Sequence, residues 1–97
     1  MKYRISSQAI IDLENIWLYT LDKWSKVQAD RYFNFIMDEI EYLSENPNSG
    51  IDYSHVRIDY RKAKIKSHII FYRINSSKNL IEIIRILHER MDLESRL

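Results

Sequence analysis

Two consecutive runs, His68-Ile69-Ile70-Phe71-Tyr72-Arg73-Ile74 and Leu80-Ile81-Glu82-Ile83-Ile84-Arg85-Ile86-Leu87, are apolar on both faces of the strands they predict. A strand with one wet face alternates apolar and polar residues, whereas one without that alternation needs cover above and below. These two strands therefore belong inside a sheet, with Asn75-Ser76-Ser77-Lys78-Asn79 as the turn between them. Arg85 sits in the second run, and burying an arginine costs several kcal/mol unless it is paired and hydrogen-bonded. A carboxylate must meet it (Asp12, Glu14 or the nearby Glu82), or the residue serves a chemical purpose.

Upstream, the period changes. Lys2–Ile5 alternates as a short strand. Ser6 or Ser7 offers an N-cap for a helix in which Ala9, Leu13, Ile16 and Thr20 form one stripe and Ile10, Trp17, Leu21 and Trp24 an adjoining one. A stripe this wide marks a helix covered by the rest of the domain, with Trp17 and Trp24 in the core. Ser25-Lys26-Val27-Gln28 has the capping-box form, so a second helix starts at Lys26, with Ala29, Phe33, Ile36, Ile40 and Leu43 as its inner seam. Asn46-Pro47-Asn48-Ser49-Gly50 ends it, because proline lacks the amide hydrogen that continuation needs. Helices joined with so little spacer form an antiparallel hairpin. Beyond Gly50, Tyr60, Lys62, Lys64 and Lys66 alternate with Arg61, Ala63, Ile65 and Ser67. The tail from Glu89 is weakly helical and is expected to order on contact with something.

The expected fold is α+β in the order β-α-α-β-β-β, a helical hairpin packed on one face of a mostly antiparallel four-stranded sheet. Residues 1–97 make one domain, since a second would have too little interior. No window reaches the length of a membrane-spanning helix, no signal-like stretch follows Met1, and there is no cysteine for disulfides or thiolate metal sites. These features point to a cytoplasmic protein. His55, His68 and His88 share no metal-ligand spacing, and Gly50 is the only glycine, so no metal, nucleotide or other cofactor is expected.

The net charge of +1 conceals a division. Residues 7–46 hold eight acidic side chains against three basic ones, while Arg57, Arg61, Lys62, Lys64, Lys66 and Arg73 face only Asp59 within residues 57–73. The basic half suits an acidic partner or a solvated strand face.

Several short pieces occur in a telling order: Ser7-Gln8-Ala9, Asp12-Leu13, Ile16-Trp17, Tyr19-Thr20, Trp24, Gln28-Ala29, Tyr32, Leu43, Pro47 and Gly50. His68-Ile69-Ile70-Phe71-Tyr72-Arg73 and Ile86-Leu87-His88-Glu89-Arg90-Met91-Asp92 complete it. With these the chain resembles the ParE branch of the RelE/ParE superfamily of type II toxin–antitoxin toxins. The resemblance implies a growth-inhibiting toxin neutralised by a ParD-like antitoxin, whose C-terminal segment wraps the toxin as helix and strand. It implies DNA gyrase as the target, reached by binding. A homodimer and a toxin–antitoxin hetero-oligomer both fit. The candidate contacts for antitoxin or target are Arg57, Arg61, Lys62, Lys64, Lys66, Arg73 and Arg90.

The RelE branch instead cuts ribosome-bound messenger RNA without a metal. That alternative needs a base, an acid and cations for the phosphate, and it would draw on Lys62, Lys64, Arg85 and His88. His68, where such nucleases tend to carry an arginine, and the ending Leu87-His88-Glu89-Arg90 fit the ParE pattern better. No catalytic residue is therefore assigned under the preferred reading. His88 has a structural alternative as well, closing its strand through a hydrogen bond to main chain.

Overall fold

Two strands from opposite ends of the chain lie side by side at the start of the sheet. In the computed structural model, which describes residues 1–97, β1 (Lys2–Ile5) pairs in parallel with β5 (Leu80–His88), Tyr3 opposite Ile81 and Ile5 opposite Ile83. Between them the chain forms α1 (Ser7–Lys23), α2 (Lys26–Glu45), β2 (Ile51–Asp52), β3 (Tyr60–Ile65) and β4 (His68–Asn75), and α3 (Leu93–Arg96) follows β5. The sheet order is β1-β5-β4-β3-β2, with every pair except β1–β5 antiparallel. The two apolar runs are thus the interior strands β4 and β5.

Local chemistry sets the helix ends. Ser6 is the N-cap of α1: its Oγ accepts the Ala9 amide at 3.0 Å and donates to the Ile84 carbonyl at 2.7 Å, tying the helix start to β5. Ser25 caps α2 by accepting the Gln28 amide at 3.2 Å. Between the helices, the Trp17 indole donates to Asp30 Oδ1 at 2.9 Å. Ala9 and Leu13 of α1 and Ile36, Ile40 and Leu43 of α2 pack on Ile70, Tyr72, Ile81, Ile83 and Ile86 of the sheet.

A β-bulge decides which residues of β5 face the helices. Tyr72 lies opposite Ile83 while Phe71 lies opposite Arg85, which leaves Ile84 as the extra residue. Without it, strict alternation would send Arg85 toward the helices alongside Ile81 and Ile83. With it, Ile86 takes that place and is only 2% exposed. The other face of the sheet carries a smaller core of Tyr53, Phe71 and Leu87, covered by Val56 and Tyr60 and by Leu93 and Leu97 of the tail.

Several expectations need correcting. The sheet has five strands, not four, because Ile51 and Asp52 pair with Lys62 and Arg61; two residues are too few to show a period. Trp24 is 76% exposed at the hairpin tip, and Trp17 is only partly buried. Phe33, Ile10 and Leu21 also meet solvent. The wide apolar stripe is therefore incompletely covered by this chain. Lys66 leaves the common face of Tyr60, Lys62 and Lys64: it occupies the two-residue turn after β3 with φ 56° and reaches over the Phe35 ring at 5.0 Å. The tail folds back without a partner, as α3 and its flanking leucines.

Candidate functional site

Beyond Ile5, β1 ends and the outer edge of β5 is open. Asp12 of α1 fills that edge: its carboxylate accepts Arg85 Nε at 2.8 Å, Arg85 Nη2 at 2.9 Å and the Ile86 amide at 2.9 Å. The strand register places Arg85 on the face with Phe71, and its guanidinium bends around the edge to reach the helix. Arg85 Nη1 also donates to the Arg96 carbonyl at 3.1 Å, so a single side chain joins α1, β5 and the tail. Asp12 holds the Arg85 guanidinium firmly protonated. Neither Glu14 nor Glu82 meets Arg85. Glu82 lies between Arg4 and Arg73, and these two, Arg4 foremost, hold its carboxyl below the usual range.

At the far end of the sheet His68 and His88 are cross-strand partners, with ring centroids 5.2 Å apart and nearly perpendicular planes. The Tyr32 hydroxyl of α2 contacts His68 Nδ1 at 2.6 Å, and the Arg90 amide donates to His88 Nδ1 at 3.1 Å. Burial, followed by the neighbouring His88 imidazole, which disfavours a second positive charge beside it, lowers His68 from 6.5 to about 4 and so keeps it neutral.

The basic candidates do not form one continuous patch. Lys62 lies over the Tyr53 ring at 4.7 Å, and Lys64 pairs with Glu89 at 2.8 Å. Arg61 donates to the Gly50 carbonyl at 2.7 Å, and Arg73 to Glu82 at 2.9 Å. Arg57 and Arg90 are exposed, with Arg57 Nη1 on the Val56 carbonyl at 3.0 Å. Arg4 joins Arg73 around Glu82, which the sequence does not reveal because it depends on the parallel pairing of β1 with β5. The nuclease set is divided between the two faces. Lys62 and Lys64 share the Phe71 side with the smaller core, His88 stands on the helix side with Ile65 and His68, and Arg85 is turned to Asp12.

Along the outside of the hairpin runs an open groove of about 670 Å³, lined by seven apolar residues out of nine, among them Ile10, Leu13, Trp17, Leu18, Phe33 and Met37. Leu18 is 55% exposed and Phe33 36%. Exposed apolar side chains gathered in one groove make it a candidate surface for a partner. Sequence patterning registered Ile10, Leu13, Trp17 and Phe33 but assigned Trp17 and Phe33 to this chain's own core, and it missed Leu18 and Met37, which lie off the stripes it followed.

Comparison with known proteins gives a consistent result. Residues 3–93 match the family model of the ParE toxin of the type II toxin–antitoxin system, parDE. The chain is 35% identical over 96 residues to Toxin ParE1 of Mycobacterium tuberculosis (strain ATCC 25618 / H37Rv), covering 99% of this chain and 97% of that one. It is 36% identical over 95 residues to Toxin ParE1 of Caulobacter vibrioides, covering 98% and 96%. The solved structure described as the chromosomal ParDE TA system from P. aeruginosa shares the fold with a TM-score of 0.78 at 18% identity, covering 91% of this chain and 95% of that one.

Proposed function

This chain belongs to the ParE toxin family of type II toxin–antitoxin systems, and we propose that it arrests growth by binding DNA gyrase until a ParD-like antitoxin neutralises it. The observation that carries the antitoxin half is the groove between α1 and α2, whose apolar lining suits the apolar face of an amphipathic helix. An antitoxin segment that folds on binding can cover this groove and continue toward β3. Acidic side chains there would complement Arg57, Arg61, Lys62, Lys64 and Lys66, with Arg73 and Arg90 as flanking contacts.

The gyrase half rests on the family resemblance. It is supported by the division of Lys62, Lys64, Arg85 and His88 between two faces, since phosphate chemistry needs its cations and proton carriers around one point. The test is a supercoiling assay with purified toxin, gyrase and relaxed plasmid. Supercoiling should fall with toxin concentration and recover on adding the antitoxin. Undiminished supercoiling at saturating toxin would remove gyrase as the target.

A further inference from the structure

Where α1, α2 and the end of the sheet meet, two adjoining clefts of about 540 and 440 Å³ share Tyr19, His68 and His88. They lie apart from the hairpin groove, with which they have no lining residue in common. Tyr19 and Trp24 stand over them at 64% and 76% exposure, giving the space aromatic walls.

The polar floor has a definite donor pattern. The Ser67 amide donates to the Tyr32 oxygen at 3.3 Å, and we assign the hydroxyl hydrogen to the 2.6 Å contact with His68 Nδ1. His68, held neutral, then carries its proton on Nε2. His88 Nδ1 accepts the Arg90 amide, so its proton is on Nε2 as well. No buried side-chain nitrogen or oxygen lacks a partner, yet neither Nε2 has one within the chain. Both N–H groups therefore reach solvent, on the cleft that these rings line. Arg96 adds a cation to the rim. Asp12, the only acid in the lining, is already taken by Arg85 and the Ile86 amide.

Two imidazole donors and a guanidinium, between aromatic walls and with no free acid, suit a carboxylate. The same tautomers argue against a metal, because a ring whose Nδ1 accepts a hydrogen bond has no free lone pair on Nε2. We propose that this cleft is a carboxylate-binding site that takes an acidic side chain or the C-terminal carboxylate of a partner polypeptide. The polypeptide rests on the partner-binding function above; the carboxylate rests on the cleft alone.

The test uses the full chain and needs neither gyrase nor antitoxin. Imidazole ¹⁵N–¹H resonances are followed while sodium succinate is added, with sodium chloride at matched ionic strength as control. Succinate should displace the His68 and His88 Nε2 signals saturably, together with the Trp24 indole signal, and chloride should not. His88→Phe keeps a ring but removes the donor, and should weaken succinate roughly tenfold, the usual worth of one hydrogen bond to a charged group. Arg96→Gln, on the exposed tail, should weaken it in the same direction and guards against a folding defect in the first variant. Two short peptides then separate the sources, one with a free C-terminus and no acidic residue, the other amidated with one internal glutamate. Displacement by either supports the site and names the source. Absence of saturable displacement by succinate and by both peptides overturns it, whatever the gyrase assay returns.

Discussion

Asp12 and Arg85 lie 73 positions apart in the chain and meet in a two-pronged contact, Nε to Oδ2 at 2.8 Å and Nη2 to Oδ1 at 2.9 Å. The same carboxylate accepts the Ile86 amide, so it covers the outer edge of β5 just beyond the point where β1 stops. Arg85, costly on its own inside an apolar strand, is thereby matched without a second strand at that edge.

Asp12→Ala should consequently destabilise the fold by about 2–4 kcal/mol, since it strands a partly buried guanidinium and an edge amide together. Urea denaturation checks this. In a double-mutant cycle with Arg85→Met, the double variant should be clearly more stable than the two single losses combined would suggest. Additive losses would mean that the pair does not act as a unit.

Stability should fall on mild acidification because of His68. Its folded value near 4 lies below the ordinary 6.5, so the unfolded chain takes up a proton first. The contribution is fully present above 6.5, is lost as pH falls from 6.5 toward 4, and changes no further below that. The paired carboxylates Glu82 and Glu89, lowered by Arg4 and Lys64, lose their contributions only at lower pH, below the ordinary glutamate value of 4.5. Denaturant midpoints between pH 6.5 and 5 should therefore slope downward in the native chain and flatten in His68→Gln.

Gly50 is required for space. A methyl group there would collide with the phenol ring of Tyr72, including Cε1 at 2.7 Å and Cζ at 2.9 Å. That ring is fully buried, and its hydroxyl accepts the Gly50 amide at 3.0 Å and donates to the Pro47 carbonyl at 2.7 Å. Gly50→Ala should cost about 2–3 kcal/mol through overpacking and a displaced hydrogen bond. A thermal melt within a degree of the native chain would contradict the packing described.

Leu18→Asp separates binding from folding. Leu18 is 55% exposed, so stability should change by no more than about 0.5 kcal/mol. Antitoxin affinity by calorimetry should drop at least tenfold if a helix occupies the groove, because a charge would then be buried without a partner. Unchanged affinity would move the antitoxin elsewhere.

Much of the architecture is legible in the sequence. Both helices, the capping serine at Ser25, the stop at Asn46-Pro47 and the three long strands follow from period and turn chemistry, which act within a few residues. Apolarity reveals that a residue will be covered, but not by what. Trp24, Phe33 and Leu21 read as core for that reason, although they stand at the surface. Of the candidate cations, Lys64 and Arg73 turned out to be bound to acids, a matter of which strands become neighbours.

The sequence by itself determined the order of elements, the interior place of β4 and β5, and that Arg85 needed either a carboxylate partner or a chemical role. Only the tertiary structure decided that Asp12 answers that need, that the bulge at Ile84 turns Ile86 inward in place of Arg85, and that His68, His88 and Tyr32 share one corner. The physical reason is range. Propensity, capping and alternation are local, whereas ion pairs and clefts depend on long-range closure of the chain, which no short window of residues encodes.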